Sequence, residues 1–208
     1  PASDQIRFEW FCGPEIAWSS SLRGLVLDTP CSLAANIRAT AEDLPLVLFD
    51  ASLEQWLPGD LTGNGGSASV GMDSYSVETL LSEMPGATGS LRSWEIAQFK
   101  KLADSLLEAG VRVLACQKLV DPWLIDYLHL RGVSIFYRLS IRHVDHVRRL
   151  SGALPVTSLA SLPKDWSRVL GAVSSVELRQ LQGRDFAMLR PPMAAPARKI
   201  ATILVGAP

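Results

Sequence analysis

The sequence predicts an α/β fold, and three observations predict it. Residues 111–152, VRVLACQKLVDPWLIDYLHLRGVSIFYRLSIRHVDHVRRLSG, read as strand, helix, strand, helix. Other short apolar runs, such as LPLVLF at 44–49, are bounded by turn residues and fit strands covered on both faces. The composition is globular: 48% of residues are hydrophobic and 20% charged, far from a disordered chain.

Taken in order, residues 6–11 and 22–27 are two strands joined by a turn-rich segment with Gly13-Pro14 and Ser19-Ser20-Ser21. They are expected to pair as antiparallel neighbours. Residues 44–49 are the next strand, reached by a polar loop across the sheet edge. Residues 58–74, PGDLTGNGGSASVGMDS, have almost nothing to bury and predict a flexible loop. A short strand is expected at 75–79, and Pro85-Gly86 and Gly89 argue against one long helix over 80–89. Order resumes at Ser90 or Ser93, which caps a helix whose apolar residues Ile96, Phe99, Leu102, Ala103, Leu106 and Leu107 keep the helical period up to Gly110.

Residues 111–116 then form a strand, and Asp121-Pro122 opens a helix. Asp accepts bonds from amides that have no partner at a helix start, and Pro in the first position surrenders an N–H that had none. Leu124, Ile125 and Leu128 form its apolar stripe, Gly132 ends it, and 133–137 returns to strand residues. A second helix, 142–150, closes at Ser151-Gly152. Residues 155–162 are strand and turn, 169–178 and 186–189 are strands, and 199–205 is a terminal strand. There is no internal repeat.

A chain of 208 residues suits one large domain. Pro1 in place of Met predicts a domain cut from a longer protein. A net charge of −1 gives no global attraction to nucleic acid or anionic membrane, and no run approaches a spanning helix, so neither is an expected partner. Cys12, Cys31 and Cys116 are odd in number and widely spaced, which argues against both a disulfide framework and a zinc site and favours a reducing, cytoplasmic setting.

Three patterns invite chemistry and fall short of it. Gly63-Asn64-Gly65-Gly66 resembles a phosphate loop but lacks the Lys-Ser/Thr and the strand-to-helix setting. His143 and His146 lie three apart on one helix, yet zinc wants a third protein ligand and His129 is on another helix. Cys116 beside Lys118 could be an activated thiol, but it ends a buried strand with no local histidine. Trp123 and Tyr127 cannot both sit at the centre of the Ile125 and Leu128 stripe, which leaves two readings: the ordinary burial of aromatics favours packing in the core, and the alternative is some apolar surface left over for a partner.

The order of motifs resembles the apical domain of group II chaperonins. LRGLVLD at 22–28 followed by LPLVLFDASLE at 44–54 is similar to that domain's opening strands, and AGVRVLACQKLVD at 109–121 to its strand and QK turn. The likeness runs on through 127–152 and 155–162 to ATILVG at 201–206. A narrower resemblance, to the chaperonin-like proteins of McKusick-Kaufman and Bardet-Biedl syndromes, rests on Cys116-Gln117-Lys118, Pro122, Arg138-Leu139 and the residues from Leu150-Ser151-Gly152 to Leu162.

This resemblance implies a β/β/α-layered β core with flanking helices, forming a single apical domain over 1–208. It implies a modified protrusion region at 75–110, where a Gly/Ser loop and Met84-Pro85-Gly86 stand in place of a helix-rich approach, so the helical protrusion is expected to be reduced. The domain would be noncatalytic and without a cofactor, since the ATP site of chaperonins lies in an equatorial domain whose GDGTT signature is absent here. By position, helices 122–131 and 142–150 resemble the pair that contacts clients. Trp123, Asp126, Tyr127 and Leu130 on the first, with Arg142, His143, His146 and Arg149 on the second, are the expected contact residues. The implied partners are polypeptide clients or Bardet-Biedl complex subunits and other chaperonin subunits, with assembly of the ciliary complex as the task and the cytoplasm, centrosome and basal body as the place. The alternative is a scaffold module of a larger protein such as a lipid kinase.

Overall fold

In the computed structural model, residues 6–12, 20–34, 43–55, 87–181, 184–193 and 200–207 are described. The strands are β1 (Ile6–Cys12), β2 (Ser20–Arg23), β3 (Leu25–Leu27), β4 (Cys31–Ser32), β5 (Leu44–Phe49), β6 (Val113–Cys116), β7 (Ser134–Phe136), β8 (Pro155–Val156), β9 (Gly171–Val173), β10 (Ser175–Leu181), β11 (Arg184–Arg190) and β12 (Ala201–Ala207). The helices are α1 (Ala87–Glu108), α2 (Pro122–His129) and α3 (Ile141–Ser151), with a 3-10 turn at Trp166–Arg168.

β5 sits inside a six-stranded sheet ordered β4-β7-β6-β5-β8, with β9 pairing β5 off that path. Its pairings with β6 and β8 are parallel, as are those of β6 with β7, while β9 and β4 run antiparallel to their neighbours. Parallel strands need covered faces, and β5 and β6 read accordingly as continuous apolar runs. Val47, Phe49, Leu114, Cys116 and Ile135 point into one core with Phe99, Leu102 and Leu106 of α1 and Leu124 and Leu128 of α2. Leu44, Leu46, Leu48, Val113, Ala115 and Phe136 point into the other, with Val144, Val147 and Leu150 of α3 and Leu25, Leu27, Val176 and Leu189 of a second sheet. Side chains alternate across a strand, so α1 and α2 cover one face of the central sheet, and α3 with the second sheet covers the other. Each fully buried Leu or Phe contributes on the order of 2–3 kcal/mol relative to exposure.

The second sheet is ordered β10-β11-β3 and the third β1-β12-β2. Here the structure corrects the expected hairpin: β1 and β2 do not pair with each other, because β12 lies between them, parallel to β1 and antiparallel to β2. The expected single strand over 22–27 is also two strands in two sheets. Gly24 breaks it with φ +137°, donates to the Ile200 carbonyl at 2.8 Å, and has a Cα hydrogen facing the Leu189 carbonyl where a Cβ has no room. The buried Thr202 hydroxyl closes the kink, donating to the Gly24 carbonyl at 2.8 Å and accepting from the Val26 amide at 3.3 Å.

Other boundaries shift for local reasons. α1 begins at Ala87 rather than at Ser90 or Ser93, so both serines lie inside one 22-residue helix. The expected strand over 169–178 is split at Ser174 into β9 and β10, which join different sheets. The expected loop at 58–74, the strand at 75–79 and most of the predicted protrusion change lie outside the described residues.

Candidate partner-binding face

α2 is positioned by its first residue. Asp121, 4% exposed, is the N-cap, and its Oδ1 accepts from the Trp123 amide at 2.8 Å. The same carboxylate takes two bonds from Arg92 of α1, Nη1 to Oδ2 at 2.8 Å and Nη2 to Oδ1 at 3.1 Å. This fork-to-fork pairing is the geometry guanidinium favours with carboxylate, and it holds the Arg92 pKa above its ordinary value through the Asp121 hydrogen bonds. It fastens the start of α2 to α1.

Further along α2, Trp123 and Tyr127 stack with ring centroids 4.8 Å apart and planes inclined by 23°. Arg131 lies over the Tyr127 ring, its Cζ 3.4 Å from the centroid, and its Nη1 donates to the Tyr127 carbonyl at 3.0 Å. The Tyr127 hydroxyl donates to Asp104 Oδ1 of α1 at 2.8 Å, which raises the phenol's pKa because the bond needs the protonated form. The sign follows: this bond contributes while the phenol is neutral and is lost as pH rises through its titration. Both aromatics are half-buried and packed against the α1/α2 core. They are therefore largely committed within the fold, rather than left over as open apolar surface.

α3 is capped by Ser140, whose Oγ accepts from the His143 amide at 3.3 Å, and ends on Gly152 with φ 79°, whose N–H donates to the Arg148 carbonyl at 2.8 Å. Its Asp145 pairs with Arg149 at 2.8 Å and Arg148 at 3.6 Å. His146 Nδ1 bonds the Arg142 carbonyl. His143 is only 8% exposed, so it is withdrawn from the expected contact set: with Val147 and Leu150 it lies at helical spacing on the buried stripe.

The expected contact residues thus divide. Leu130 is 82% exposed, Asp126, Arg142 and Arg149 are exposed, and His146 is half-buried, while Trp123 and Tyr127 are half-buried and His143 is inside. α2 and α3 bury their stripes in different cores, on opposite faces of the central sheet. Ile141, 75% exposed at the start of α3, falls outside the expected helix 142–150 and so outside the expected contact set. The supports Arg92, Asp104 and Ser32, whose Oγ pairs with His129 Nδ1 at 2.8 Å, come from other elements and leave no local signal. Arg131 does leave one, standing four residues after Tyr127.

Among the described residues, groups suited to covalent or metal chemistry are sparse. Burial pushes the Cys116 thiol up to about 12, and its Sγ–H donates to the Ala51 carbonyl at 3.4 Å, so it is a protonated core side chain at neutral pH. Among the described residues no group of three or more His, Cys, Asp or Glu is placed to hold a metal ion, and no helix is long and apolar enough to cross a membrane. In native protein Cys116 is expected to resist alkylation at pH 8 and to react at once in denaturant, measured by mass spectrometry. Because its folded pKa lies above the unfolded value of 9.0, its contribution to stability is complete below about pH 9 and declines as pH rises toward 12.

The architecture is that of a mixed α/β domain of the chaperonin apical kind. The structure aligns with the open-state monomer of a group II chaperonin from Methanococcoides burtonii at a TM-score of 0.66 and 16% identity, covering 99% of this chain and 39% of that one. In sequence it is similar to thermosome subunit alpha of Halobacterium salinarum, 22% identical over 183 residues, which is 88% of this chain and 29% of that protein. The model of the TCP-1/cpn60 chaperonin family matches residues 71–208, and the chain belongs to that family. It spans under a third of the length of the thermosome subunit it matches.

Proposed function

We propose that this chain is a single apical domain of a longer chaperonin-like protein and that it holds polypeptide without catalysing a reaction on it. The observation that supports this best is the exposed set on α3: Ile141 offers a large apolar side chain to solvent at the start of a helix on which Arg142 and Arg149 are also exposed. Such a surface can supply apolar affinity and charge-based selection together. Family membership adds weight, because clients and neighbouring subunits are what chaperonins engage.

The finer reading places the domain in a protein of the McKusick-Kaufman and Bardet-Biedl kind, acting at the centrosome and basal body on subunits of the ciliary complex. It draws its support from the short collinear motifs around Cys116-Gln117-Lys118 and Leu150-Ser151-Gly152. No cofactor takes part in this role, and ATP, where used, would act in another domain.

The purified chain, shown to be folded by circular dichroism, is expected to suppress aggregation of a denatured model client and to retain Bardet-Biedl subunits from solution. Ile141→Asp should weaken client retention by about tenfold, the loss typical of one strong contact. Folded chain that retains no client would overturn the holding role. Client retention without any Bardet-Biedl subunit would overturn the finer reading alone.

A further inference from the structure

β4 is the outermost strand of the central sheet, paired with β7 on one side and with no strand beyond it among the described residues. Its ladder decides which backbone groups face out. The Tyr137 amide donates to the Pro30 carbonyl at 3.2 Å, Ser32 stands opposite Ile135, and the Ala34 amide donates to the Ser134 hydroxyl at 3.2 Å, so residues 30, 32 and 34 turn their backbone toward β7. Antiparallel pairing alternates, and the Leu33 amide therefore faces the open edge. Side chains alternate between the two faces of the sheet, and that of Ser32 lies on the α2 side, where its Oγ meets His129 Nδ1 at 2.8 Å.

Nucleophile, base and oxyanion donor thus meet at one sheet edge. With its ring proton on Nε2, His129 accepts from the Ser32 hydroxyl at Nδ1, which is how a neighbouring base activates a weak nucleophile. His129 stands in the last turn of α2, where the carbonyl end of the helix favours a cation. The imidazolium formed by taking the serine proton is stabilised there. The Leu33 amide follows the serine directly in the chain, the position from which a backbone N–H can donate to the oxygen of a tetrahedral intermediate. Ser32 and His129 are both half-buried, so the pair is partly shielded from water while still reaching the surface.

We infer that Ser32 takes up an acyl group from an activated ester or thioester, with His129 as its base and the Leu33 amide as the oxyanion donor. The bond from Oγ to the acyl carbon forms as His129 Nδ1 takes the hydroxyl proton, and the carbonyl electron pair moves onto the oxygen that Leu33 meets. When that pair returns, the bond to the leaving oxygen or sulfur breaks, and the leaving group departs with the proton held by His129. The products are an O-acyl serine and an alcohol, phenol or thiol. Among the described residues no carboxylate is paired with His129 to hold the ring for a second round, so water attacks the new ester slowly and the acyl group accumulates. Ser32 is in this sense a modification site, and it owes nothing to the polypeptide-holding role.

The test is exposure of the folded chain to p-nitrophenyl acetate, with the acetyl group located by peptide mass mapping and the released nitrophenolate followed by absorbance. The wild-type chain is expected to release a burst of about one nitrophenolate per chain and to carry the acetyl group on Ser32. Ser32→Ala should abolish the burst. His129→Gln keeps a hydrogen-bonding partner for the serine and removes the base, so it should slow acetylation of Ser32 by at least about a hundredfold while leaving the melting temperature in place. Cys31→Ser, which removes the neighbouring thiol, should leave the burst unchanged. An acetyl group found on Cys31 or spread over lysines instead of Ser32 overturns the inference, and so does a rate at Ser32 that ignores His129→Gln. The mapping of the wild-type chain needs no variant to fold, and a folded chain without acetyl on Ser32 overturns the inference by itself.

Discussion

Gly24→Ala is expected to destabilise the domain by about 3–4 kcal/mol, read as a lower denaturation midpoint, with the loss of order greatest at β2, β3 and β12 by hydrogen exchange. Two effects add. The φ of +137° is a conformation that side-chain-bearing residues rarely adopt, and a Cβ would stand 2.4 Å from the Leu189 carbonyl oxygen and 3.3 Å from its carbon. Those atoms belong to the backbone of β11, so no side chain can turn aside to make room. The movement that relieves the clash separates β3 from β11, or breaks the Thr202 bonds that tie β12 to the kink. A change of one methyl group therefore acts on two sheets. Gly110, also at positive φ but with nothing within 4 Å of its would-be Cβ, provides the comparison: Gly110→Ala should cost only about 1 kcal/mol.

The second large effect lies at Asp121. Asp121→Ala removes the α2 cap, worth about 1 kcal/mol, and the forked pair with Arg92, for a combined loss of about 2–3 kcal/mol. Arg92→Ala leaves a buried carboxylate with the Trp123 amide and costs somewhat less, since Arg92 itself is partly exposed and water shares its screening. The two changes should be non-additive in a double-mutant cycle by at least about 0.5 kcal/mol, because each removes the other's partner. Asp121→Asn separates the roles. It keeps a capping oxygen while discarding the charge, so it should recover about half the loss and leave the helical signal of α2 intact. Equal losses in Asn and Ala variants would show that the cap contributes little here.

These effects mark out how much of the molecule was readable in the sequence. β5, β6, α2, β7 and α3 were legible because each is declared locally: Asp121-Pro122 starts α2, Gly132 ends it, and Gly152 stops α3. The β1/β12 pairing was not, because residues 6 and 201 meet only through tertiary structure and parallel partners need no common turn. Gly24 inside an apolar run does signal a bend, though not which sheet each half will join. At the candidate site, the contact set carried over by position included His143, whereas helical spacing puts it on the buried stripe: 143, 147 and 150 share one face. Trp123 and Tyr127 illustrate the converse. Four apart on a helix, they were near enough to stack on each other, and Asp104, with no mark in the local sequence, supplied the partner that turned the tyrosine inward.

The parallel pairing of β1 with β12 also has a mechanical consequence. Ile6 stands opposite Ala201 and Cys12 opposite Ala207, so the chain enters at one end of this pair and leaves at the other. Tension applied through the two ends would slide the strands lengthwise and load the whole ladder of backbone bonds at once, instead of peeling them one after another. Such a shear clamp is stiff along the pulling direction.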